Sequence, residues 1–150
     1  MENSDGFYTL KGYQAEEHSE LTAAMEDYLE MICRMEALDL EIRIVDLSRL
    51  LHVKPSSATK MVQQLSNLGY LHSKRYGYIE LTDKGHTAGS YLLFRHDVVN
   101  RFLCALNGSD NELEQAEKIE HFLNAKTVKN LDLLTVYLKK GDPDFISDPH

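Results

Sequence analysis

The order of short elements between residues 42 and 81 is the feature that most constrains the fold. Hydrophobic spacing predicts a two-turn helix that ends before Pro55, and a second helix from Pro55 to about Leu68. Proline suits the first turn of a helix, because its missing N–H is not needed there. Residues 70–74 and 78–81 then predict two short strands around a turn. This order is typical of a winged helix-turn-helix.

Helical patterns on both sides of this segment predict a mainly α fold. Further helices are predicted over residues 22–38, 82–107, 109–123 and 127–139. Thr22 and Thr82 are predicted to cap the first two of these helices, and Asp46 the two-turn helix. Ser109 and Glu112 have the spacing of a capping box, which predicts where the third begins.

The distribution of charge indicates two kinds of partner. A net charge of −8 would by itself argue against nucleic acid binding. The segment from Glu41 to Lys84, however, holds seven lysines and arginines against four carboxylates, a net charge of +3, so the rest of the chain carries −11. A basic segment inside an acidic chain indicates that one part binds an anion and another part binds cations.

The helix from Pro55 to Leu68 has a polar face suited to the DNA major groove. Glutamine can pair with adenine, and serine and threonine can donate or accept. Lysine and arginine suit phosphate, both beside this helix and next to the hairpin turn. An ordinary solvated helix face is the alternative. The predicted DNA-contacting residues are Arg43, Lys54, Ser56, Ser57, Thr59, Lys60, Gln63, Gln64, Lys74 and Arg75.

Acidic and imidazole side chains form three groups on predicted helices. Two of the groups have i, i+3 or i, i+4 spacing, which places their members on one helix face. Four carboxylates and two imidazoles that converge would suit two divalent cations, which would cancel the carboxylate charges. Solvated side chains and ordinary ion pairs are the alternative for each group alone. The three groups are Asp27 with Glu30, His96, and Glu117 with Glu120 and His121.

The chain resembles the diphtheria-toxin-repressor family of metal-dependent transcription repressors, and within it the manganese-responsive members. The resemblance runs in register from about Leu21 to Lys139. It is carried by residues 25–30, 55–62, 81–85, 95–96 and 119–121. It implies that all six acidic and imidazole residues above are metal ligands, with Glu30, Glu117 and Glu120 at a paired-ion site.

The resemblance also implies the cofactor and the function. Two Mn²⁺ ions per subunit are expected, with Fe²⁺, Zn²⁺ or Cd²⁺ as substitutes. Hard oxygen at Asp27 and Glu117, where iron-responsive members tend to have Met and Cys, favours Mn²⁺ over Fe²⁺. Metal binding is expected to fade below about pH 6, because free imidazole titrates near 6.5. The metal-loaded homodimer is expected to bind a palindromic double-stranded DNA operator and to repress manganese uptake genes.

Four parts of the chain are predicted. Residues 1–20 would be a flexible N-terminal arm, residues 21–85 the winged helix DNA-binding domain, residues 86–140 a linker helix with the metal-binding and dimerisation domain, and residues 141–150 a tail. Apolar residues of the third part exceed what one small helical layer hides, which predicts a homodimer. These residues are Leu113, Ala116, Ile119, Phe122, Leu123, Val128, Leu131, Leu134 and Leu138.

Several other classes of protein are disfavoured. The longest apolar run, Phe102–Leu106, is far shorter than the roughly 20 residues of a spanning helix, so no membrane partner is expected. Residues 1–20 do not read as a secretory signal, and Cys33 and Cys104 form no Cys-x-x-Cys motif, which favours the cytoplasm. A ferritin-like di-metal enzyme needs Glu-x-x-His motifs, and the sequence has none, so no enzyme is predicted. A winged-helix regulator that responds to Fe²⁺ or to another ligand is the alternative function.

Overall fold

The computed structural model describes residues 20–140 and confirms a mainly helical fold with a small sheet. The tail at residues 141–150, and the N-terminal arm apart from Glu20, lie outside the described residues. The α-helices are α1 (Ala23–Ala37), α2 (Ile44–Leu50), α3 (Pro55–Asn67), α4 (Asp83–Asn107), α5 (Leu113–Ile119) and α6 (Ala125–Lys140). The strands are β1 (Ile42–Arg43), β2 (Leu71–Ser73) and β3 (Tyr78–Leu81), and 3-10 turns cover Arg75–Gly77 and Glu120–Phe122.

The sheet has three strands rather than the predicted two-stranded hairpin. Its order is β1-β3-β2 and both pairings are antiparallel. β1 adds to the hairpin because Ile42 pairs with Ile79, and both side chains are buried in the same core cluster. The turn between β2 and β3 holds Tyr76 in the left-handed region, with φ 63°, and leaves its side chain 84% exposed.

Several predicted helix boundaries are confirmed by their caps. The Thr22 hydroxyl accepts from the Met25 N–H at 3.2 Å, and the Thr82 hydroxyl accepts from the Gly85 N–H at 3.0 Å. α3 begins with Pro55, and α4 ends at Asn107 with Gly108 as its C-cap, whose φ of 62° suits glycine.

Two predicted caps are wrong. α2 begins one turn earlier than Asp46 would allow, with Arg43 as its N-cap, so that Asp46 lies in the first turn and pairs with Arg49 at 3.9 Å. α5 begins at Leu113 rather than after Ser109, because the Glu112 N–H donates to the Asn100 side chain at 3.1 Å. The Ser109 hydroxyl donates to the Glu112 carboxylate at 2.7 Å instead of capping the helix.

The long helix α4 passes through both hydrophobic clusters of the described chain. Its Leu92 belongs to the larger cluster, which the N-terminal helices and the sheet build, whereas Val99 and Leu103 pack with Ala116 of α5 in a smaller one. The buried polar residues Arg95 and His96 lie on α4 between these two clusters. A polar layer therefore separates the two apolar cores.

Glycine lets α4 approach its neighbours closely. A Cβ at Gly85 would collide with the Tyr70 carbonyl oxygen, and one at Gly89 would lie 3.0 Å from the Cβ of Cys33 on α1. Among residues 20–140, no helix combines the length and the hydropathy that crossing a bilayer requires.

Candidate metal centre and nucleic-acid interface

Five of the six predicted metal ligands converge where α1, α4 and the turn Glu120–Phe122 meet. They form two groups, and the ligand atoms within each group lie within 4.8 Å of one another. We call Asp27, Glu120 and His121 the outer group, because Asp27 is half exposed. The inner group is Glu30, His96 and Glu120, which are 9%, 6% and 1% exposed.

The outer group is held together by the His121 ring. Its Nε2 lies 3.0 Å from Asp27 Oδ1 and 3.9 Å from Glu120 Oε1. The Asp27 side chain is 50% exposed, whereas that of His121 is 10% exposed. An ion could therefore reach this group from solvent on the Asp27 side.

The inner group is centred on a carboxylate that both groups share. Glu120 is 1% exposed, and its Oε2 lies 2.7 Å from His96 Nδ1. The same imidazole nitrogen lies 3.9 Å from Glu30 Oε1, and Glu30 also pairs with Arg34 at 3.8 Å. Two carboxylates and one imidazole thus share a site that solvent hardly reaches.

The pKa values of three predicted ligands are raised. Burial and the nearby Glu120 charge raise the pKa of Glu30 to about 7. Hydrogen bonds to Asp27 and Glu26 raise the pKa of His121 to about 10, and the hydrogen bond to Glu120 raises the pKa of His96. Because these pKa values are raised, we expect metal binding to be lost at a higher pH than free imidazole alone would predict.

The donor set fits a divalent cation. Within the described residues, Glu30 Oε1 and Glu120 Oε1 are buried and have no hydrogen-bond partner. Burying a carboxylate oxygen without a partner is costly, so such atoms call for an explanation in a folded protein. Carboxylate oxygens and imidazole nitrogens together suit divalent ions of intermediate hardness. The two oxygens are therefore suited to coordinate an ion.

The sixth predicted ligand, Glu117, lies outside both groups. α5 ends at Ile119, and Glu120 and His121 belong to a 3-10 turn, so the prediction of one α-helical face for all three residues is wrong. A 3-10 turn has 3.0 residues per turn and does not continue the 3.6-residue period. The Glu117 side chain is exposed while Glu120 is buried. Glu117 as a ligand stays a prediction.

Glu26 and Arg95 were not predicted from the sequence, yet they surround the His121 ring. Arg95 is 4% exposed, and its Nη1 donates to Glu26 Oε2 at 3.0 Å. Glu26 Oε1 lies 3.1 Å from His121 Nδ1. The signal that could have identified Arg95 is its position between Leu92 and Val99 on the apolar face of α4, where an unpaired charge is costly.

All ten predicted DNA-contacting residues are exposed. α3 buries Ala58, Val62 and Leu65, and partly Met61, against the core, so its polar face is free toward solvent. Lys60, Gln63 and Gln64 lie on that face. The helix thus presents its polar residues as a recognition helix would.

Two predicted phosphate contacts already have partners within the wing. Arg43 Nη2 donates to the Tyr78 hydroxyl at 2.7 Å, and its guanidinium lies 4.5 Å from the centre of the Tyr78 ring. Lys74 pairs with Glu80 at 2.6 Å. Binding phosphate through either side chain would exchange or share these contacts. Arg75 begins the exposed turn at the wing tip.

The predicted dimer residues are divided between core and surface. Leu113, Phe122 and Leu134 are exposed, whereas Ala116 and Val128 are buried. Ile119, Leu123, Leu131 and Leu138 are partly buried. Further large apolar side chains are exposed on α6, including Leu133, Val136 and Tyr137.

Known domain families cover almost the whole described chain. Residues 20–79 match the iron dependent repressor N-terminal DNA binding domain. Residues 82–149 match the iron dependent repressor metal binding and dimerisation domain. The junction between the two matches lies at the start of α4.

Individual proteins are similar over most of their length. The chain is 35% identical over 122 residues to the HTH-type transcriptional regulator MntR of Oceanobacillus iheyensis, covering 81% of this chain and 83% of that regulator. It is 34% identical over 122 residues to the regulator of the same name in Bacillus subtilis, covering 81% and 86%.

Solved structures share the fold. The manganese regulator SloR superposes with a TM-score of 0.68 at 25% identity, covering 78% of this chain and 55% of that chain. ScaR with bound Zn²⁺ superposes with a TM-score of 0.63 at 30% identity, covering 75% and 54%. The chain thus spans about half the length of these two solved chains. Its family consists of transcriptional repressors and not of enzymes. The chain belongs to the iron-dependent repressor family of metal-dependent transcriptional repressors.

Proposed function

We propose that this chain is a Mn²⁺-responsive repressor whose metal-loaded homodimer binds a palindromic double-stranded DNA operator and represses manganese uptake genes. The observation that carries the metal part is Glu120, a buried carboxylate shared by two donor groups, with one oxygen lacking a hydrogen-bond partner within residues 20–140. The proposed partners are the operator and a second copy of the chain, and the proposed location is the cytoplasm.

The proposed cofactor is two Mn²⁺ ions per subunit. Carboxylate oxygens outnumber imidazole nitrogens in the donor set, and no thiol or thioether belongs to either group in the described residues, which favours a hard ion. Relatives named for manganese, one of them solved with bound Zn²⁺ and with bound Cd²⁺, support this choice and Zn²⁺ or Cd²⁺ as substitutes, and the name of the matched domain family supports Fe²⁺. The proposed ligands are Asp27, Glu30, His96, Glu117, Glu120 and His121.

The ligands connect the two domains. Asp27 and Glu30 lie on α1 of the proposed DNA-binding domain, residues 21–85, whereas Glu120 and His121 lie in the proposed metal-binding and dimerisation domain, residues 86–140. When bound, the ions supply the positive charge that offsets the mutual repulsion of these carboxylates. The ligands would then hold α1 against α4 and the turn at Glu120–Phe122.

This connection explains how metal could control DNA binding. With α1 held in place, the two wings of a dimer would be confined to a narrower range of separations. An operator with two half-sites binds that narrower range, so that metal and DNA each strengthen the binding of the other. The proposed base contacts are Gln63 and Gln64, with the hydroxyl side chains of α3, and the lysines and arginines would contact phosphate.

A DNA-binding titration on a candidate palindrome tests the proposal. The full chain is titrated with Mn²⁺, Fe²⁺, Zn²⁺ or a chelator present, and we expect tight binding with Mn²⁺ and weak binding with the chelator. Binding that is indifferent to all four conditions contradicts a metal-responsive repressor. Binding activated by Fe²⁺ but not by Mn²⁺ favours the alternative, an Fe²⁺-responsive regulator.

Two variants test the ligand assignment within the same experiment. Glu120→Gln should abolish the Mn²⁺ response while the weak binding without metal remains, because Glu120 is buried, serves both donor groups and is not on the polar face of α3. Glu117→Ala tests the ligand that lies outside the two groups. A Mn²⁺ response unchanged in Glu117→Ala would remove Glu117 from the site.

A further inference from the structure

We propose that Glu26 and Arg95 form a buried positioning pair that orients the His121 ring, so that its Nε2 is the nitrogen that coordinates metal. The inference rests on the proposed function only in taking His121 as a ligand. Neither residue belongs to the two donor groups.

The two nitrogens of the His121 ring face different partners. Nε2 faces the outer group, 3.0 Å from Asp27 Oδ1. Nδ1 faces the opposite way, 3.1 Å from Glu26 Oε1 and 3.3 Å from Arg95 Nη2. The contact between Glu26 and His121 joins residues 95 positions apart in the chain.

The nature of these partners decides which nitrogen can bind a cation. A neutral imidazole carries its proton on one nitrogen and a lone pair on the other, and only the lone pair coordinates metal. A carboxylate accepts hydrogen bonds and cannot donate them, so Glu26 favours the tautomer with the proton on Nδ1. Without metal, the Asp27 carboxylate holds a proton on Nε2 in the same way. A bound ion would displace that proton, while Glu26 keeps the proton on Nδ1 and so leaves the Nε2 lone pair for the ion.

Arg95 would favour the opposite tautomer if it faced His121 alone. A guanidinium can only donate, so Arg95 Nη2 would pair with an unprotonated Nδ1 and leave the proton on Nε2, where it blocks coordination. In the pair, Arg95 Nη1 instead binds Glu26 Oε2 at 3.0 Å and holds that carboxylate against the ring. Glu26 therefore decides the tautomer, and Arg95 fixes Glu26.

The surroundings of the pair fit a role in positioning His121 better than a role in stability alone. The Arg95 and Glu26 side chains are 5% and 15% exposed, and with His121 both line a cavity of about 620 Å³. A buried pair is weak evidence for stability alone, since hydrophobic residues of similar volume often stabilise equally well. The pair also connects three elements that carry ligands. Glu26 adjoins Asp27 on α1, Arg95 adjoins His96 on α4, and both contact His121 in the turn Glu120–Phe122.

Zn²⁺ titration of the full chain tests the pair, with Zn²⁺ used because it is diamagnetic. Glu26→Gln removes the charge, and Glu26→Asp keeps the charge but withdraws the carboxylate from Nδ1. We expect both to weaken Zn²⁺ binding by about 10- to 100-fold, the usual effect of losing a partner behind a ligating histidine. The matched control is Glu36→Gln, because Glu36 pairs with His86 at 2.9 Å between the same two helices and its side chain is 37% exposed. The Zn²⁺ affinity of Glu36→Gln should stay within about twofold of the wild-type affinity.

Nitrogen-15 NMR of the histidines in the Zn²⁺-loaded protein reads the tautomer directly. We expect a slowly exchanging Nδ1–H of His121 in the wild type and its loss in both Glu26 variants, whereas a purely structural role would leave this signal in place. Affinity and Nδ1–H signal unchanged in both variants overturn the proposal. Loss of affinity and of the Nδ1–H signal in Glu26→Gln but not in Glu26→Asp also overturns the proposal, because a negative charge alone would then be enough to orient the ring. A wild type that binds no Zn²⁺ contradicts the metal site itself, and with it the proposed function.

Discussion

Among single residues, Glu120 is the one whose burial lowers folding stability while it places a carboxylate where a metal ion could bind. One carboxylate oxygen binds His96 at 2.7 Å, and the other has no hydrogen-bond partner among the described residues, although the side chain is almost fully buried. An unsatisfied buried oxygen typically costs about 1–3 kcal/mol, and more when the group is charged. The residue is thus better explained by what it binds than by what it contributes to packing.

Metal affinity is expected to rise with pH well above the titration range of free histidine. At neutral pH, His121 with its pKa of about 10 holds a proton, and Glu30 with its pKa of about 7 holds one for part of the time. A cation must displace these protons, so each proton displaced adds about one unit of log affinity per pH unit. Calorimetric Zn²⁺ titrations between pH 6 and 9, in buffers of different ionisation enthalpy, count the released protons. An affinity that is flat above pH 7 would contradict the raised pKa of His121.

Gln64 and Lys60 are expected to differ in what they contribute to DNA binding. Lys60→Ala should weaken binding to all sequences and reduce the slope of log affinity against log salt by about one, because a phosphate contact is lost. Gln64→Ala should instead relax the sequence preference, by about 1–3 kcal/mol for a bidentate base contact. Binding curves on operator and scrambled DNA at several salt concentrations separate the two effects. If Gln64→Ala leaves both affinity and preference intact, the proposed recognition face is wrong.

At the scale of elements, α4 connects the parts of the molecule because it packs closely at one end and carries polar residues in its middle. Close packing occurs where Gly85 meets the Tyr70 carbonyl oxygen and where Gly89 meets Cys33 of α1. The polar residues Arg95 and His96 follow between the two hydrophobic clusters. The same helix therefore fixes the wing at its first turn and presents ligands further along.

Gly85→Ala is expected to destabilise the fold without touching the metal site. The added Cβ would meet a backbone oxygen, which cannot move aside as a flexible side chain could, and overpacking of this kind costs about 1–3 kcal/mol. Urea denaturation with a chelator present measures the change. Thr87→Ala on the exposed face of the same helix is the control, and its free energy of unfolding should change by no more than about 0.5 kcal/mol. A Gly85→Ala variant as stable as the control would contradict the close approach.

At the scale of the whole molecule, exposed apolar side chains concentrate on the C-terminal helices. Leu133 is 62% exposed and Tyr137 is 73% exposed on α6, where Leu134 is exposed as well. Leu113 on α5 and Phe122 in the following turn are also exposed. A monomer rarely leaves so many large apolar groups in water. The matched domain family includes dimerisation among its functions, and a second copy is the proposed cover.

We expect the chain to sediment as a dimer at micromolar concentration, and Leu134→Glu to shift it toward monomer. A charge placed in an apolar interface loses its hydration without gaining a partner, which disfavours association. The control is Leu38→Glu, a comparable substitution at an exposed leucine that follows α1 in the other half of the chain. Sedimentation velocity distinguishes the species. A monomeric wild type would remove the homodimer from the proposal.

Much of the fold could be predicted from the sequence, because its signals are local. Thr22, Thr82 and Pro55 determine where helices begin through contacts with backbone groups three residues away or through the shape of the residue itself. The helical spacing of the apolar residues likewise predicts which face of α3 is buried. Five of the six predicted ligands do converge, and the blocks that contain them were sufficient to indicate the family.

Only the tertiary structure decided how distant segments meet. β1 becomes a strand because Ile79 is available to pair with Ile42, and α5 starts late because Asn100 of α4 takes the N–H that a capping box would have used. Glu26 could not be predicted as a partner of His121, since the two residues are 95 positions apart in the chain. Spacing along a helix predicts which side chains share a face. It cannot predict which face of another element they meet, because that depends on how the whole core packs.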